Sequence, residues 1–140
     1  MPRQPREHLS LRIERATLEH LNRRARHAGQ PKSTLAERYV FEGLRMDEHP
    51  GIHFVDGALG RRPAVLGTGL DVWEIIETVR ANDDSIAEAA AYLEIDADPI
   101  EVAVGYYGSN REEIDAFIER VHEIAEHEEG KWRRAREALA

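Results

Sequence analysis

The first regular pattern in the chain is a strict alternation of apolar and polar residues over positions 8–13. The apolar positions, which share one face of an extended strand, are Leu9, Leu11 and Ile13. The polar positions, on the opposite face, are His8, Ser10 and Arg12. This alternation predicts a half-buried β-strand over about residues 7–13. Because no second strand follows nearby, we expect the strand to pair with the same strand of a second copy.

Two helices are predicted after the strand. The first runs from about Arg15 to Ala28, where apolar residues recur at spacings of three and four. Gly29 is a natural C-cap, and Pro31 prevents the helix from continuing. A second helix, capped by Ser33 or Thr34, runs to about Met46. The segment 47–51, which contains Pro50, is the predicted linker between two modules.

The second module, residues 52–140, is predicted to be helical with a small β-hairpin. The hairpin joins Ile52 and Phe54 to residues 64–66, with its turn at Asp56-Gly57 or Gly60. Helices are predicted to begin at about Asp71, at Ser85, at Asp98-Pro99 and at Ser109-Asn110. Gly130 is a potential interruption of the last helix. The predicted inward positions are Val72, Trp73, Ile76, Val79, Ile86, Ala89, Ala90, Leu93, Ile100, Ala103, Val104, Tyr107, Ile114, Phe117, Ile118, Val121, Ile124 and Ala125.

These patterns predict a mainly α protein, in which residues 1–6 form a flexible arm. The composition, 41% hydrophobic and 33% charged, is typical of a globular protein. No apolar run is long enough to span a bilayer, and the N-terminus lacks the apolar core of a secretory signal. The absence of cysteine fits a reducing compartment, so we expect a cytoplasmic protein.

The net charge of −8 conceals a division between the two modules. Residues 1–50 carry a net charge of +3, whereas residues 51–140 carry −11. Such asymmetry suggests that the modules bind different partners. The first is suited to a polyanion and the second to a basic protein, although acidic helix faces also serve simply to keep a protein soluble.

The strand, the helix ending at Gly29 and the second helix opened by Pro31-Lys32-Ser33-Thr34 resemble a ribbon-helix-helix domain over residues 7–46. In that family, two chains pair their strands into an antiparallel ribbon that enters the major groove of DNA. The resemblance implies a dimer core of Leu9, Leu11 and Ile13. It also implies base reading by His8, Ser10 and Arg12, and phosphate binding by Lys32, Ser33 and Thr34, with Arg3 and Arg6 on the arm. A two-stranded ribbon fits the major groove, and arginine offers guanine a bidentate donor. The alternative is an ordinary dimerisation strand whose outer face is merely solvated.

Residues 60–118 resemble the antitoxin-associated domain of unknown function called the 433 family, which pairs a short β-element with a winged-helix-like bundle. The resemblance rests on the run 63–76, with its turn Gly67-Thr68-Gly69, and on Ala103 followed by Tyr106-Tyr107. The family has an arginine where this chain has Gly69, so Arg61 or Arg62 would have to replace it. The family also has a spacer glycine that the segment 81–85 lacks.

Proteins with such domains look like antitoxins of PIN-type ribonuclease toxins, which implies operator DNA and a toxin as partners. The basic segment Lys131–Arg136 contains candidate toxin contacts: Trp132, Arg133, Arg134 and Arg136. Arginine pairs well with the clustered carboxylates of a PIN-type site. The simpler interpretation, which the sequence favours, is that these cations suit the helix dipole while Trp132 packs on the bundle.

The sequence contains little catalytic chemistry. It has no cysteine, no phosphate-binding glycine loop and no His-Glu-x-x-His motif. His49 and His53 are four residues apart and His122 and His127 are five apart, and neither pair resembles a closed metal site. We therefore expect no enzymatic activity, no cofactor and no metal.

The leading hypothesis is a homodimeric DNA-binding antitoxin that represses its own operon. The alternatives are a dimeric adaptor that does not bind DNA and a repressor that has no toxin.

Overall fold

A computed structural model describes residues 4–140 of the chain. Packing divides the chain into two compact units, Met1–Gly43 and Leu44–Ala140, which we call unit 1 and unit 2. The protein is mainly helical, with six helices and one small antiparallel sheet among the described residues. None of the helices in this range combines the length and apolar character needed to cross a membrane.

Unit 1 contains α1 (Arg15–Ala28) and the greater part of α2 (Lys32–Glu48). The bounds predicted for α1 are confirmed. Gly29 ends this helix in the left-handed conformation, with φ of 64°, and donates its N–H to the carbonyls of Ala25 and Arg26. Glycine adopts this conformation without a steric penalty, which is why it is common at this position.

The ends of α2 differ from the prediction. The helix begins immediately after Pro31, and its first backbone hydrogen bond joins the Leu35 N–H to the Pro31 carbonyl at 3.2 Å. Ser33 and Thr34 therefore lie in the first turn and do not cap it. The helix continues to Glu48, so the first part of the predicted linker 47–51 is helical, and the division between the units falls inside α2.

The segment 4–14, before α1, has no regular secondary structure in the single chain. A β-strand is defined by hydrogen bonds to a neighbouring strand. Among residues 4–140, no strand pairs with this segment. The predicted pairing of residues 7–13 with a second copy therefore stays a prediction.

Unit 2 opens with the strands β1 (Ile52–Gly57), β2 (Gly60–Val65) and β3 (Leu70–Asp71), in the order β1-β2-β3. The predicted hairpin is confirmed, with Ile52 opposite Val65. Its turn lies at residues 58–59, because Gly57 and Gly60, which were predicted in the turn, pair with each other at the ends of the strands. The short strand β3 was not predicted. It pairs with β2 because Gly67 and Gly69 adopt positive φ angles of 78° and 69°, which allow the chain to reverse.

Four helices follow the sheet: α3 (Val72–Ala81), α4 (Ile86–Leu93), α5 (Ala97–Ser109) and α6 (Arg111–Ala138). The start of α4 is confirmed, because Ser85 Oγ accepts a hydrogen bond from the Glu88 N–H at 3.1 Å. Helix α5 begins at Ala97, so Pro99 lies in its first turn and not at its first position. Gly130 does not interrupt α6.

The core of unit 2 lies between the sheet and the helices, and most of its members were predicted. Its buried residues are Ile52, Val65, Val72, Ile75, Ile76, Val79, Ala89, Ile100, Ala103, Tyr106, Ile114 and Ile118. Four members were not among the predicted inward positions: Ile52 and Val65 of the hairpin, and Ile75 and Tyr106 of the helices. Ile124 and Ala125, which were predicted to face inward, are exposed because α6 extends beyond the core there. In α5, the prediction that Tyr107 faces the core is correct only in part, because Tyr106 is fully buried and Tyr107 is half-buried.

Candidate nucleic-acid interface and partner-binding surfaces

The predicted base-reading residues all lie on the exposed segment before α1. His8, Ser10 and Arg12 are exposed, and His8 Nε2 lies 2.8 Å from Ser10 Oγ. This contact brings two of the three predicted readers together. The alternation of faces along residues 8–13 stays a prediction.

The predicted dimer core lies uncovered in the single chain. Leu9 is 67% exposed, Leu11 63% and Ile13 41%. Apolar side chains are also exposed on the helices of unit 1: Leu18, Tyr39, Val40 and Phe41. Leu35 and Ala25 are the buried hydrophobic residues of this unit among those described. Unit 1 therefore presents a much larger apolar surface, relative to its core, than a monomeric domain normally does.

The predicted phosphate-binding residues lie at the start of α2. Lys32, Ser33 and Thr34 are all exposed. Their backbone amides precede the first hydrogen bond of the helix, so they have no acceptor inside it. The amides add a partial positive charge to the Lys32 ammonium, and together these donors suit an anion.

The arm contributes one described cation to this unit. Arg6 forms a salt bridge with Glu37 of α2, and its side chain remains 71% exposed. A surface pair of this kind contributes little stability and leaves Arg6 available for exchange with a stronger anion. Arg3, the other predicted phosphate contact of the arm, lies outside the described residues.

The basic segment Lys131–Arg136 lies on an exposed part of α6. Trp132 is 65% exposed, and Arg133, Arg134 and Arg136 are exposed as well. The prediction that Trp132 packs on the helical bundle is wrong, because α6 makes its buried contacts earlier, at Ile114 and Ile118. The last buried residue of the helix is Ile118, and the segments 122–129 and 131–140 are exposed throughout.

Sequence reasoning missed a buried polar cluster around Tyr106. Its hydroxyl donates to the Glu113 carboxylate at 2.9 Å, and Arg45 lies 3.3 Å from the same carboxylate. Burial raises the pKa of Glu113, and the contacts with Tyr106 and Arg45 offset this only in part. Burial, reinforced by the charge of Glu113, also raises the pKa of Tyr106. The His49 ring packs edge-on against Tyr106 at 5.0 Å. The cluster ties Arg45 and His49 to α5 and α6.

A second, more exposed cluster joins α3, α5 and α6. Arg80 and the Tyr107 hydroxyl both donate to Asp115, at 3.0 and 2.9 Å. Burial alone would raise the pKa of Asp115, but hydrogen bonds from Arg80 and Tyr107 lower it below its ordinary value. Every group in this cluster already has a charged or hydrogen-bonded partner. The arrangement therefore serves to hold helices together, and no group in it is poised as an acid or base.

Near the turn Gly67-Thr68-Gly69, Arg62 takes part in a specific contact. It forms a salt bridge with Asp71, which also accepts a hydrogen bond from Trp73 Nε1 at 2.9 Å. Asp71 is buried and is the N-cap residue of α3, so the guanidinium of Arg62 lies beside the first turn of that helix. Of the two arginines named as replacements, Arg62 contacts Asp71 and Arg61 forms a salt bridge with Asp56 at 3.4 Å; a replacement role for either stays a prediction.

The grooves of unit 2 are shallow and mixed in character. One groove, of about 820 Å³, lies between α3 and α6 and is lined by Trp73, Glu77, Arg80, Tyr92 and His122, among others. Within residues 4–140, no group of three or more metal-binding side chains comes together. Comparisons with protein-family models, with curated proteins and with solved structures find no match to this chain.

Proposed function

We propose that the protein is a homodimeric DNA-binding antitoxin, with unit 1 on operator DNA and unit 2 on a PIN-type ribonuclease toxin. The observation that carries the DNA-binding half is the exposed segment 8–13. Its apolar residues alternate in sequence with residues that carry hydrogen-bonding groups, and all of them are exposed in the single chain. Two copies that pair along this segment bury their leucines and present six polar side chains on one ribbon.

The argument for a dimer is that the single chain leaves apolar side chains of unit 1 exposed to water. Leu9 and Leu11 contact water for most of their surface in the single chain, and Ile13 is 41% exposed. Burying such a side chain contributes about 1.5–3 kcal/mol. Pairing also gives the backbone N–H and C=O groups of residues 8–13 the partners that the single chain lacks. A second copy of the same segment meets both needs at once.

DNA as the ligand follows from the chemistry of the outer face. Arg12 can donate two hydrogen bonds to guanine, and Ser10 and His8 offer less selective donors and acceptors. The free amides and Lys32 at the start of α2 suit a phosphate. Unit 1 lies within residues 1–50, whose net charge of +3 favours encounter with a polyanion.

The toxin as the second partner rests on the charge of residues 51–140 and on the resemblance to the antitoxin-associated family. Their net charge of −11 opposes contact with phosphates and favours a basic protein surface. A ribonuclease must attract RNA, so a basic surface around its site is expected. The sequence-based candidates for the contact are Trp132, Arg133, Arg134 and Arg136, all of which are exposed.

A DNA titration tests the first half of the proposal. The probe is the duplex upstream of the protein's own reading frame, with a shuffled duplex of equal length as reference. We expect the wild type to prefer the upstream duplex and Arg12→Ala to lose about 1–3 kcal/mol of that preference while it stays dimeric. Arg133→Ala, which removes the same charge from unit 2, should keep the preference. If the wild type binds neither duplex at moderate salt, the chain is an adaptor and the proposal is wrong.

Co-expression tests the second half. The neighbouring reading frame should encode a small protein with several spaced Asp and Glu residues that co-purifies with this chain. Toxicity of the neighbour alone, relieved by this chain, supports the antitoxin; specific DNA binding without any such partner supports a repressor that acts alone.

Deletion from Gly130 onward tests the basic segment. Full inhibition after the deletion would exclude it as the toxin contact.

A further inference from the structure

The groove between α3 and α6 has a partly apolar lining. Its walls include two aromatic residues, Trp73 and Tyr92, together with Ile118. Tyr92 is 73% exposed, so its ring is accessible to a partner. A second groove, of about 450 Å³, shares Arg80, Ile118 and His122 with the first and continues it along α6. We call the two together the α3–α6 groove.

The α3–α6 groove is also strongly acidic. Six carboxylates line it: Glu74, Glu77, Asp115, Glu119, Glu123 and Glu126. Among the described residues that line it, Arg80 is the only Lys or Arg, and it already forms a salt bridge with Asp115 at 3.0 Å. His122, the other basic residue of the lining, contacts Glu77. The lining therefore carries a large excess of negative charge.

Four of these carboxylates have no Lys or Arg close enough to neutralise them. The ion pairs found among residues 4–140 include none of the following: Glu74, Glu119, Glu123 and Glu126. Three of them, all except Glu123, also have no Lys or Arg three or four residues away on their own helix. Arg120, three residues before Glu123, donates instead to the Leu59 carbonyl at 2.9 Å. Because like charges line both sides of the groove, a cationic occupant relieves their repulsion.

We propose that unit 2 binds its partner in the α3–α6 groove and that the occupant is a basic segment of the partner protein. Its Lys or Arg side chains pair with the carboxylates, and their aliphatic stems pack on Ile118. The faces of the Trp73 and Tyr92 rings attract cations as well. A nucleic acid does not suit the groove, because its phosphates would meet unneutralised carboxylates. The inference rests on the proposed function for the identity of the partner, and it places the contact away from the basic segment Lys131–Arg136.

Charge reversal inside and outside the groove tests the proposal. The groove variant carries Glu119→Lys and Glu126→Lys. The control variant carries Glu101→Lys and Glu128→Lys, at residues that are equally exposed but do not line the groove. The two variants have the same net charge, so a general effect of charge is equal in both. The probe is a helical peptide of alanine and lysine, which the groove variant should bind at least about 10-fold more weakly than the control variant.

The two tryptophans of the chain report where the peptide binds. Trp73 lines the groove, whereas Trp132 lies on the exposed end of α6. In NMR spectra of the wild type, the peptide should shift the indole N–H signal of Trp73 until it saturates, and it should leave that of Trp132 in place. Tyr92→Ala should weaken binding by about 2- to 5-fold, whereas Tyr92→Phe, which keeps the ring, should restore it.

Equal affinity of the groove and control variants for the peptide overturns the proposal, as does a shift of the Trp132 signal without that of Trp73. Self-association that only the groove variant loses would make a second copy the occupant and would also overturn it. The protein encoded by the neighbouring reading frame separates this inference from the proposed function. If that protein binds both variants equally well, the antitoxin function stands and the groove is not its site. If it does not bind the wild type although the peptide binds as predicted, the proposed function falls and the groove remains a site for a basic partner.

Discussion

Unit 2 completes its core within one chain, whereas unit 1 does not. Tyr106, Ile75 and Ile100 of unit 2 are fully buried among residues from the sheet and the helices. In unit 1, Leu9, Leu11 and Ile13 remain exposed, as do Tyr39 and Val40 on α2. The difference teaches that the exposed apolar surface next to a small core is concentrated in unit 1. Unit 2 encloses its core within the single chain, and in the proposed function unit 1 covers its apolar residues with a second molecule.

The largest expected effect is on the dimer. Leu11→Asp places two charges in the proposed ribbon core, so we expect the dimer dissociation constant to rise at least about 100-fold. Arg12→Asp introduces the same side chain one position away, on the outer face, and should leave this constant within about 3-fold of the wild type. Sedimentation equilibrium measures both. Equal dissociation constants for the two variants would show that the faces of Leu11 and Arg12 do not differ in their contribution to the dimer.

The next effect concerns the stability of unit 2. Ile100→Ala creates a cavity beneath a fully buried side chain and should lower the free energy of unfolding by about 2–5 kcal/mol. Leu66→Ala, at a position that is 55% exposed, should change it by less than about 0.5 kcal/mol. Urea unfolding followed by circular dichroism gives both values. The loss in Ile100→Ala should not depend on protein concentration, and a dependence would show that unit 2 also needs a second molecule.

A smaller effect is expected at the start of α2. Lys32→Ala removes one phosphate contact per chain, so it should weaken binding to the upstream and the shuffled duplex alike. In a dimer, the slope of log K against log salt should become shallower by about 2. Lys131→Ala, the same change in unit 2, should alter neither quantity. Loss of preference for the upstream duplex in Lys32→Ala would instead make Lys32 a base reader.

The smallest effect is a pH dependence within unit 2. The pKa of Glu113 is raised in the folded protein by burial, so the folded state favours its protonated form. Glu113 therefore contributes most to the free energy of unfolding at a pH below its pKa in the unfolded chain. This contribution is lost as the pH rises through its pKa in the folded protein. Relative to Glu113→Gln, the wild type should become less stable between acid and neutral pH. Glu112→Gln, at an exposed neighbour, should show no such trend; thermal unfolding across this range measures both.

Local patterns predicted much of the fold, because caps and turns depend on nearby residues. Gly29 ended α1 and Ser85 opened α4, as expected. Periodicity could not decide whether Tyr106 or Tyr107 faces the core, because both lie near the helix face centred on Ala103, three and four residues after it. The two-residue strand β3 carried too few residues for any pattern. The Glu113–Arg45 contact depends on tertiary packing, which local spacing does not encode.

Amide hydrogen exchange over residues 8–13 tests the central claim most directly. In a paired ribbon, alternate amides donate to the partner strand and are protected from exchange. We predict slow exchange at alternate positions of 8–13 in the wild type, at concentrations where the chain is dimeric, and loss of this protection in Leu11→Asp. Exchange at the rate of an unstructured peptide throughout 8–13 in a dimeric wild type would contradict the account.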